Sequence, residues 1–314
     1  MTGTPVETLV FASAVDPVGP WREALEALLP DLRVRTPEEI GPGDDVRYAL
    51  VWKPPTGFFA RHPGLRLVTI LGAGADALVG RDDLPDVPVT RLSDPEMARM
   101  MTQYVLFAVL RYARDIHTFE AAQRAGRWHY VHPREAREVR VGVLGLGELG
   151  GAAARELARQ GFSVSGWSRT PKDLPGIACH AGVEALTPFL AGCEILVVML
   201  PLTRETRRLL GAAELAALPA GAKLINVSRG AVIDEAALVA ALRAGHLAAA
   251  TLDVFETEPL PEGHALWGME SVLVTPHLAS VAIPASAARQ IAGNIRRVRR
   301  GEAPEHRVDL ARGY

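Results

Sequence analysis

Three polar residues stand just past apolar runs in the second half of the chain. They are Arg229 in INVSRGAVIDEAAL (225–238), Glu258 in TLDVFETEPLP (251–261) and His277 in VLVTPHLAS (272–280). An arginine, an acid and a histidine together have a definite chemistry. Reducing a 2-keto acid needs a cation that anchors the carboxylate and polarises the carbonyl, an acid that protonates the developing alkoxide, and a partner for that acid. Arg229 supplies the first. Of nine histidines, His277 alone directly follows a strong apolar run ending in Thr-Pro, which marks it as the acid. Glu258 can accept a bond from the other imidazole nitrogen and so fix the tautomer. Singly, each has a plainer account: a charge at a helix entry, a loop acid before proline, a loop histidine. For three such residues at successive strand ends of one sheet the plain account fails.

A second stretch bears on the same chemistry. Residues 139–167, VRVGVLGLGELGGAAARELARQGFSVSGW, carry Gly145-x-Gly147-x-x-Gly150. Alone the triplet is a weak signal in a chain with 29 glycines. Its context strengthens it: an apolar strand before, a helix from about Gly147 to Gln160, Gly161 at the helix end, then another strand. Gly145 permits the tight turn, Gly147 lets backbone amides approach a pyrophosphate, and Gly150 permits close helix–strand packing. About twenty residues beyond this turn such folds place an acid for the adenosine ribose. Here the stretch is GWSRT (166–170), with no carboxylate. An acid accepts bonds from a free 2′-hydroxyl and repels a 2′-phosphate. Ser168, Arg169, Thr170 and Lys172 offer hydroxyls and positive charge instead, and the planar arginine fork suits phosphate. The expected cofactor is NADP(H), with NAD(H) left open.

The elements that must position these groups follow from hydrophobic patterning. Strands are expected at 7–13, 48–52 and 65–70, with a helix at 21–29. Asp94-Pro95 reads as an N-cap and first helical residue, opening a helical pattern that runs to about Ala125. After the charged segment GRWHYVHPREAREVR (126–140) a second alternating series begins, with strands near 140–144, 163–167, 194–200, 223–228, 249–254 and 271–275. A helix at 234–244 is capped by Asp234 and ended at Gly245, and a last helix runs from Pro284 to Arg300. If that helix packs on the first domain, the second series is an insertion.

Composition narrows the class. The chain has 314 residues, 48% hydrophobic and 22% charged, and a net charge of −2, which gives no electrostatic case for nucleic acid or an anionic membrane. The basic run Arg296-Arg297-Val298-Arg299-Arg300 reads as a solvated helix end. Two cysteines without a Cys-x-x-Cys pair, and no His-Glu-x-x-His, indicate neither a disulfide framework nor a metal site. No apolar run approaches the roughly 18 residues of a membrane span. A cytoplasmic protein is expected. No tyrosine has a lysine four residues on, so the short-chain dehydrogenase pattern is absent.

The glycine turn, NVSRG, LDVFETEPLP and TPHLAS together resemble the D-isomer-specific 2-hydroxyacid dehydrogenase family. LGAGAD (71–76), MTQYVLFAVLRYAR (101–114) and WSRT (167–170) are similar to its glyoxylate/hydroxypyruvate reductase A branch. The resemblance implies an α/β fold of two doubly wound parallel-sheet domains. A Rossmann nucleotide-binding domain (101–282) would be inserted into a flavodoxin-like substrate domain (1–100 with 283–314). It makes Arg229, Glu258 and His277 the catalytic set. Amides of Ala73 and Gly74 would help hold the substrate carboxylate, with Trp52 walling the pocket and Lys53 adding charge. The cofactor would lie along Gly145, Leu146, Gly147, Glu148, Leu149 and Gly150, then Ser168 to Thr170 and Lys172, Leu200 and Pro201, Val227 and Ser228, with Asp253 near the nicotinamide carboxamide. Trp128 falls in an arm that reaches across a homodimer, and Trp267 reads as loop packing. Two rivals share this scaffold: action on another small anion of the formate or phosphite type, and a non-catalytic dinucleotide-sensing protein.

Overall fold

The computed structural model describes residues 6–314. Two compact units emerge, one ending at Met97 and resuming over Val281–Tyr314, the other formed by Ala98–Ser280.

In the first unit the strands are β1 (Glu7–Ala12), β2 (Leu32–Arg35), β3 (Asp45–Val51), β4 (Leu67–Ile70) and β5 (Val89–Thr90), with α1 (Val18–Leu28) between β1 and β2. The sheet order is β2-β1-β3-β4-β5, every pair parallel. That is the flavodoxin-like order. Parallel strands are covered on both faces, which is why β4 is buried at all four residues and is apolar except for Thr69. The last helix, α8 (Pro284–Arg299), returns to this unit. Its Ala287, Ile291 and Ile295 share one core with Leu9, Trp21, Leu25 and Leu50. Arg299, expected in a solvated helix end, instead bonds Glu7 at 2.7 Å and Asp31 at 3.0 Å.

In the second unit the strands are β6 (Arg140–Leu144), β7 (Ser163–Ser168), β8 (Ala178–Ala181), β9 (Ile195–Val198), β10 (Ala222–Asn226), β11 (Leu247–Leu252) and β12 (Val272–Val274). Their order, β12-β11-β10-β9-β6-β7-β8, is the Rossmann order with one strand added, reversing between β6 and β9. Helices α4 (Glu148–Arg159), α5 (Leu186–Ala191), α6 (Ala212–Ala217) and α7 (Glu235–Arg243) make crossovers. Asp234 caps α7 by accepting from the Ala237 amide at 3.1 Å, as its position predicts.

The helical pattern expected from Asp94 to Ala125 is two helices, α2 (Pro95–Ala113) and α3 (Ile116–Arg124). They part at Asp115, whose φ of 55° is left-handed, a conformation aspartate tolerates better than most side chains. Strands β2, β5 and β8 have no counterpart among the expected elements. They are short, and all three are edge strands whose pairing partners, not their own patterns, define them. Among the described residues no helix is long and apolar enough to cross a membrane.

Candidate active site

Ligands bind doubly wound folds at the carboxyl ends of the strands, beside the point where strand order reverses. In the second unit, β10 ends on Asn226, which is buried. Its Oδ1 accepts from the Ser228 amide at 3.1 Å and hydroxyl at 2.9 Å, and its Nδ2 donates to the Arg229 carbonyl at 3.1 Å. This side-chain-organised turn fixes the backbone that presents Arg229. The Arg229 guanidinium also donates to the Ser228 carbonyl at 2.8 Å. The next residue, Gly230, lies against the following loop: a Cβ there would come within 1.9 Å of the Phe255 carbonyl carbon. Close contact between these turns sets Arg229 beside the loop that carries Glu258.

Glu258 and His277 meet directly. Oε2 of Glu258 lies 2.9 Å from Nδ1 of His277, and Oε1 accepts from the Phe255 amide at 3.1 Å. That bond fixes the orientation of the imidazole ring at Nδ1. His277 has a φ of 55°, rare for a non-glycine residue, and its amide donates to the Asp253 carbonyl at 2.8 Å.

Asp253 explains how that conformation is held. It is only 1% exposed. One carboxylate oxygen accepts from the Thr275 hydroxyl at 2.6 Å and the Leu278 amide at 2.9 Å, the other from the Ala279 amide at 2.8 Å. Three of about four acceptor sites are thus taken by the loop around His277. Tyr104 on α2 adds a link, its hydroxyl 2.6 Å from that of Thr275. Burial pushes the Tyr104 phenol up to about 12, so it keeps its proton at physiological pH.

At the glycine turn the three glycines divide into two kinds. Gly145 has a φ of 114°, and a Cβ there would lie 2.7 Å from the Met199 carbonyl oxygen. A Cβ on Gly150 would lie 1.8 Å from the Gly145 oxygen. A Cβ on Gly147 would meet nothing within 4 Å. Gly145 and Gly150 therefore serve packing, whereas Gly147 opens on space at the start of α4. The first helical bond there runs from the Gly151 amide to the Gly147 carbonyl at 2.8 Å, so earlier amides of the turn have no acceptor inside the helix. This fits a pyrophosphate. The Leu146 side chain is buried against Gly166, which leaves only its backbone for a cofactor. Leu149 packs in the same core and Glu148 is exposed.

Strand β7 ends at Ser168, whose buried hydroxyl donates to the Thr170 carbonyl at 2.7 Å. Its proton is used inside the turn, so Arg169, Thr170 and Lys172, all exposed, carry the outward polar character. The Glu205 carboxyl nearby is held below its usual range by the Thr203 hydroxyl first, and also by the charges of Arg169 and Arg204. Arg204 thus acts on the same acid as Arg169, a neighbour that sequence position did not single out. Leu200 and Val227 are buried, Pro201 is exposed, and the Ser228 hydroxyl is committed to Asn226.

In the first unit, Trp52 and Lys53 follow β3. The Trp52 ring packs on Gly72, where a Cβ would lie 2.7 Å from its Cζ3. Lys53 is exposed, with Nζ 5.8 Å from the centre of the Trp52 ring. Ala73 and Gly74 are partly exposed, and their amides donate to no backbone carbonyl among the described residues. A turn of that kind suits a carboxylate.

Asn226, Thr275 and Tyr104 escaped the sequence reading. Asn226 carried a signal, an Asn two residues before a serine at a strand end. Tyr104 carried none, because its partner is 171 positions away. Two concavities of the second unit lie elsewhere. One of about 310 Å³ opens at the amino ends of β6, β9 and β10, and a groove of about 570 Å³ runs beside α2 and α4. Trp267 is half exposed and donates to the Pro261 carbonyl at 3.0 Å, a looser arrangement than the loop packing expected.

Residues 106–279 match the family described as D-isomer specific 2-hydroxyacid dehydrogenase, NAD binding domain. The chain is 41% identical over 302 residues to glyoxylate/hydroxypyruvate reductase A of Serratia proteamaculans, covering 94% of this chain and 96% of that one. A crystal structure of a D-isomer specific 2-hydroxyacid dehydrogenase from Xanthobacter autotrophicus, in complex with NADPH and MES, is 66% identical with a TM-score of 0.94, covering 98% of this chain and all (100%) of that one. An NADPH-dependent glyoxylate/hydroxypyruvate reductase from Sinorhizobium meliloti, solved with NADP and sulfate, is 34% identical with a TM-score of 0.91 and the same coverage of 98% and 100%.

Proposed function

The chain belongs to the D-isomer specific 2-hydroxyacid dehydrogenase family, in its glyoxylate/hydroxypyruvate reductase A branch, and from that premise we propose a cytoplasmic, homodimeric enzyme that reduces small 2-keto acids with NADPH. Glyoxylate and hydroxypyruvate are the substrates. One observation carries the chemistry: the Glu258–His277 pair at 2.9 Å, at the strand ends of a dinucleotide fold.

The bound nicotinamide supplies the hydride. Arg229 draws the keto acid by its carboxylate and polarises the carbonyl. His277 delivers its Nε2 proton to the keto oxygen as charge develops there. Glu258 holds the ring in the tautomer and orientation that make this transfer direct, and Asp253 holds the loop. Within the first unit, Ala73 and Gly74 offer backbone amides suited to a carboxylate, beside Trp52 and Lys53. Gly147 and the first turn of α4 receive the pyrophosphate, and Arg169 with Thr170 and Lys172 the 2′-phosphate.

The homodimer rests on the arm at 126–135, where Trp128 is 99% and Tyr130 73% exposed. Large aromatics left in water in this way mark an interaction surface. Sedimentation equilibrium at a monomer mass would remove this part of the proposal.

Steady-state oxidation of NADPH and of NADH, each with glyoxylate, hydroxypyruvate and pyruvate, tests the function. Turnover should be efficient with NADPH and the first two acids. Hydrogen bonds to charged groups are worth about 1.5–3 kcal/mol, so Arg169→Ala should raise the KM for NADPH roughly ten- to hundredfold and leave NADH nearly unchanged. Equal losses for both cofactors would mean that Arg169 does not read the 2′-phosphate. Absence of turnover with all pairs would point to another small anion or to a binding role.

A further inference from the structure

Lys53 stands in an unfavourable conformation. It precedes Pro54, and a residue before proline is pushed toward extended backbone, yet its φ is 44°. Such a conformation persists only where the surroundings impose it, and outliers of this kind gather at ligand sites. The surroundings here centre on Arg81. Its Nη1 donates to the Pro54 carbonyl at 2.8 Å and its Nη2 to the Pro55 carbonyl at 2.8 Å. Nε and Nη2 also donate to the two carboxylate oxygens of Asp83, both at 2.8 Å. Asp83 in turn accepts from the Phe59 amide at 3.2 Å, and the guanidinium lies 5.1 Å from the centre of the Phe59 ring. All three guanidinium nitrogens thus donate to the loop after β3 or to Asp83. The Asp83 carboxyl is held below its usual range by Arg81, so the pair stays ionised at neutral pH.

We propose that Arg81, with Asp83, is a positioning residue for substrate recognition. It clamps the Pro54-Pro55 backbone so that Lys53 is locked in its left-handed conformation with the ammonium held over Trp52, ready for the substrate carboxylate. This rests on the reading of Lys53 as a substrate-binding residue. Lysine alone would not do this work well, because its flexible stem must be ordered at each binding event. Pre-ordering the backbone beneath it removes part of that cost. Only arginine has the fork that spans two carbonyls and a carboxylate together.

The test is a double-mutant cycle with Arg81→Gln and Lys53→Met in the full-length enzyme. The readouts are KM for glyoxylate, kcat, KM for NADPH and the thermal midpoint. Misplacing a binding group by about 1 Å can cost up to roughly a hundredfold, so Arg81→Gln should raise KM for glyoxylate about tenfold. Its kcat and its KM for NADPH should hold. Lys53→Met should raise KM by at least as much, and the double variant no further than Lys53→Met alone. If Arg81→Gln folds poorly, Asp83→Asn tests the same clamp with a milder lesion: it weakens the anchor of the guanidinium while the two carbonyl bonds remain, so KM for glyoxylate should rise by less, about two- to threefold, with kcat and KM for NADPH held, and an unchanged KM counts against the proposal. Two results overturn the proposal: a KM unchanged in Arg81→Gln while Lys53→Met raises it, or effects that multiply in the double variant. An unchanged KM in Lys53→Met is a different failure, because it removes Lys53 from the substrate site and the clamp's purpose with it.

Discussion

Replacing His277 with alanine should lower turnover of glyoxylate by roughly 10²–10⁴-fold while NADPH still binds, because a positioned general acid contributes about that factor. The cofactor contacts proposed lie on the glycine turn and at the end of β7, whereas His277 follows β12. Its side chain is partly exposed and bonds Glu258, so truncation removes no buried core. Cofactor affinity, read from protein fluorescence quenching, should change less than about twofold, about 0.4 kcal/mol, within the usual range for a surface change. His277→Asn should be nearly as slow, since asparagine can accept from or donate to the loop but cannot act as an acid near neutral pH. Glu258→Gln should keep much of the geometry and lose the charge that supports the ring, with an intermediate loss of kcat. Turnover unchanged in His277→Ala would dismiss it as the proton donor and return attention to Tyr104 or to solvent.

The glycine turn supports a prediction with opposite outcomes at neighbouring positions. Gly150→Ala should destabilise the protein, because the added methyl would sit 1.8 Å from the Gly145 carbonyl oxygen, a backbone atom with nowhere to go. Overpacking costs about 1–3 kcal/mol and more when the obstacle is rigid. At the upper end the thermal midpoint should fall by roughly 6–12 °C. Gly147→Ala is different. Its φ of −72° is ordinary for alanine and the new methyl meets nothing within 4 Å, so the fold should tolerate it. That same open space is where the pyrophosphate is proposed to lie. Gly147→Ala should therefore keep its midpoint within about a degree and lose most of its affinity for NADPH and NADH alike. Differential scanning calorimetry and cofactor titration on the two variants read both effects. A Gly147→Ala enzyme with unimpaired cofactor binding would place the pyrophosphate elsewhere.

These two cases show where local pattern suffices and where it does not. The strand–turn–helix around Gly145, the cap of α7 at Asp234 and the apolar runs of β6 and β9 are local, so spacing and residue type specify them. The helical pattern of α2 continues through Asp115 in the sequence, and only the backbone reveals the left-handed break there. Edge strands such as β8 carry little signal of their own, since neighbouring β7 supplies their partners.

By itself, the sequence determined the chemistry available: an arginine, an acid and a histidine after successive strands, a glycine turn, and a basic stretch where an acid would select NAD. Residue type sets what a group can donate, accept or repel, and this needs no coordinates. Tertiary structure alone decided which of these groups meet and what holds them. It joined Glu258 to His277 at 2.9 Å and turned Asp253 inward as the anchor of the histidine loop. It also set Tyr104 against Thr275 and Arg81 across two proline carbonyls. Parallel sheets bring together residues far apart in the chain, and a hydrogen bond depends on ångströms that sequence separation does not encode.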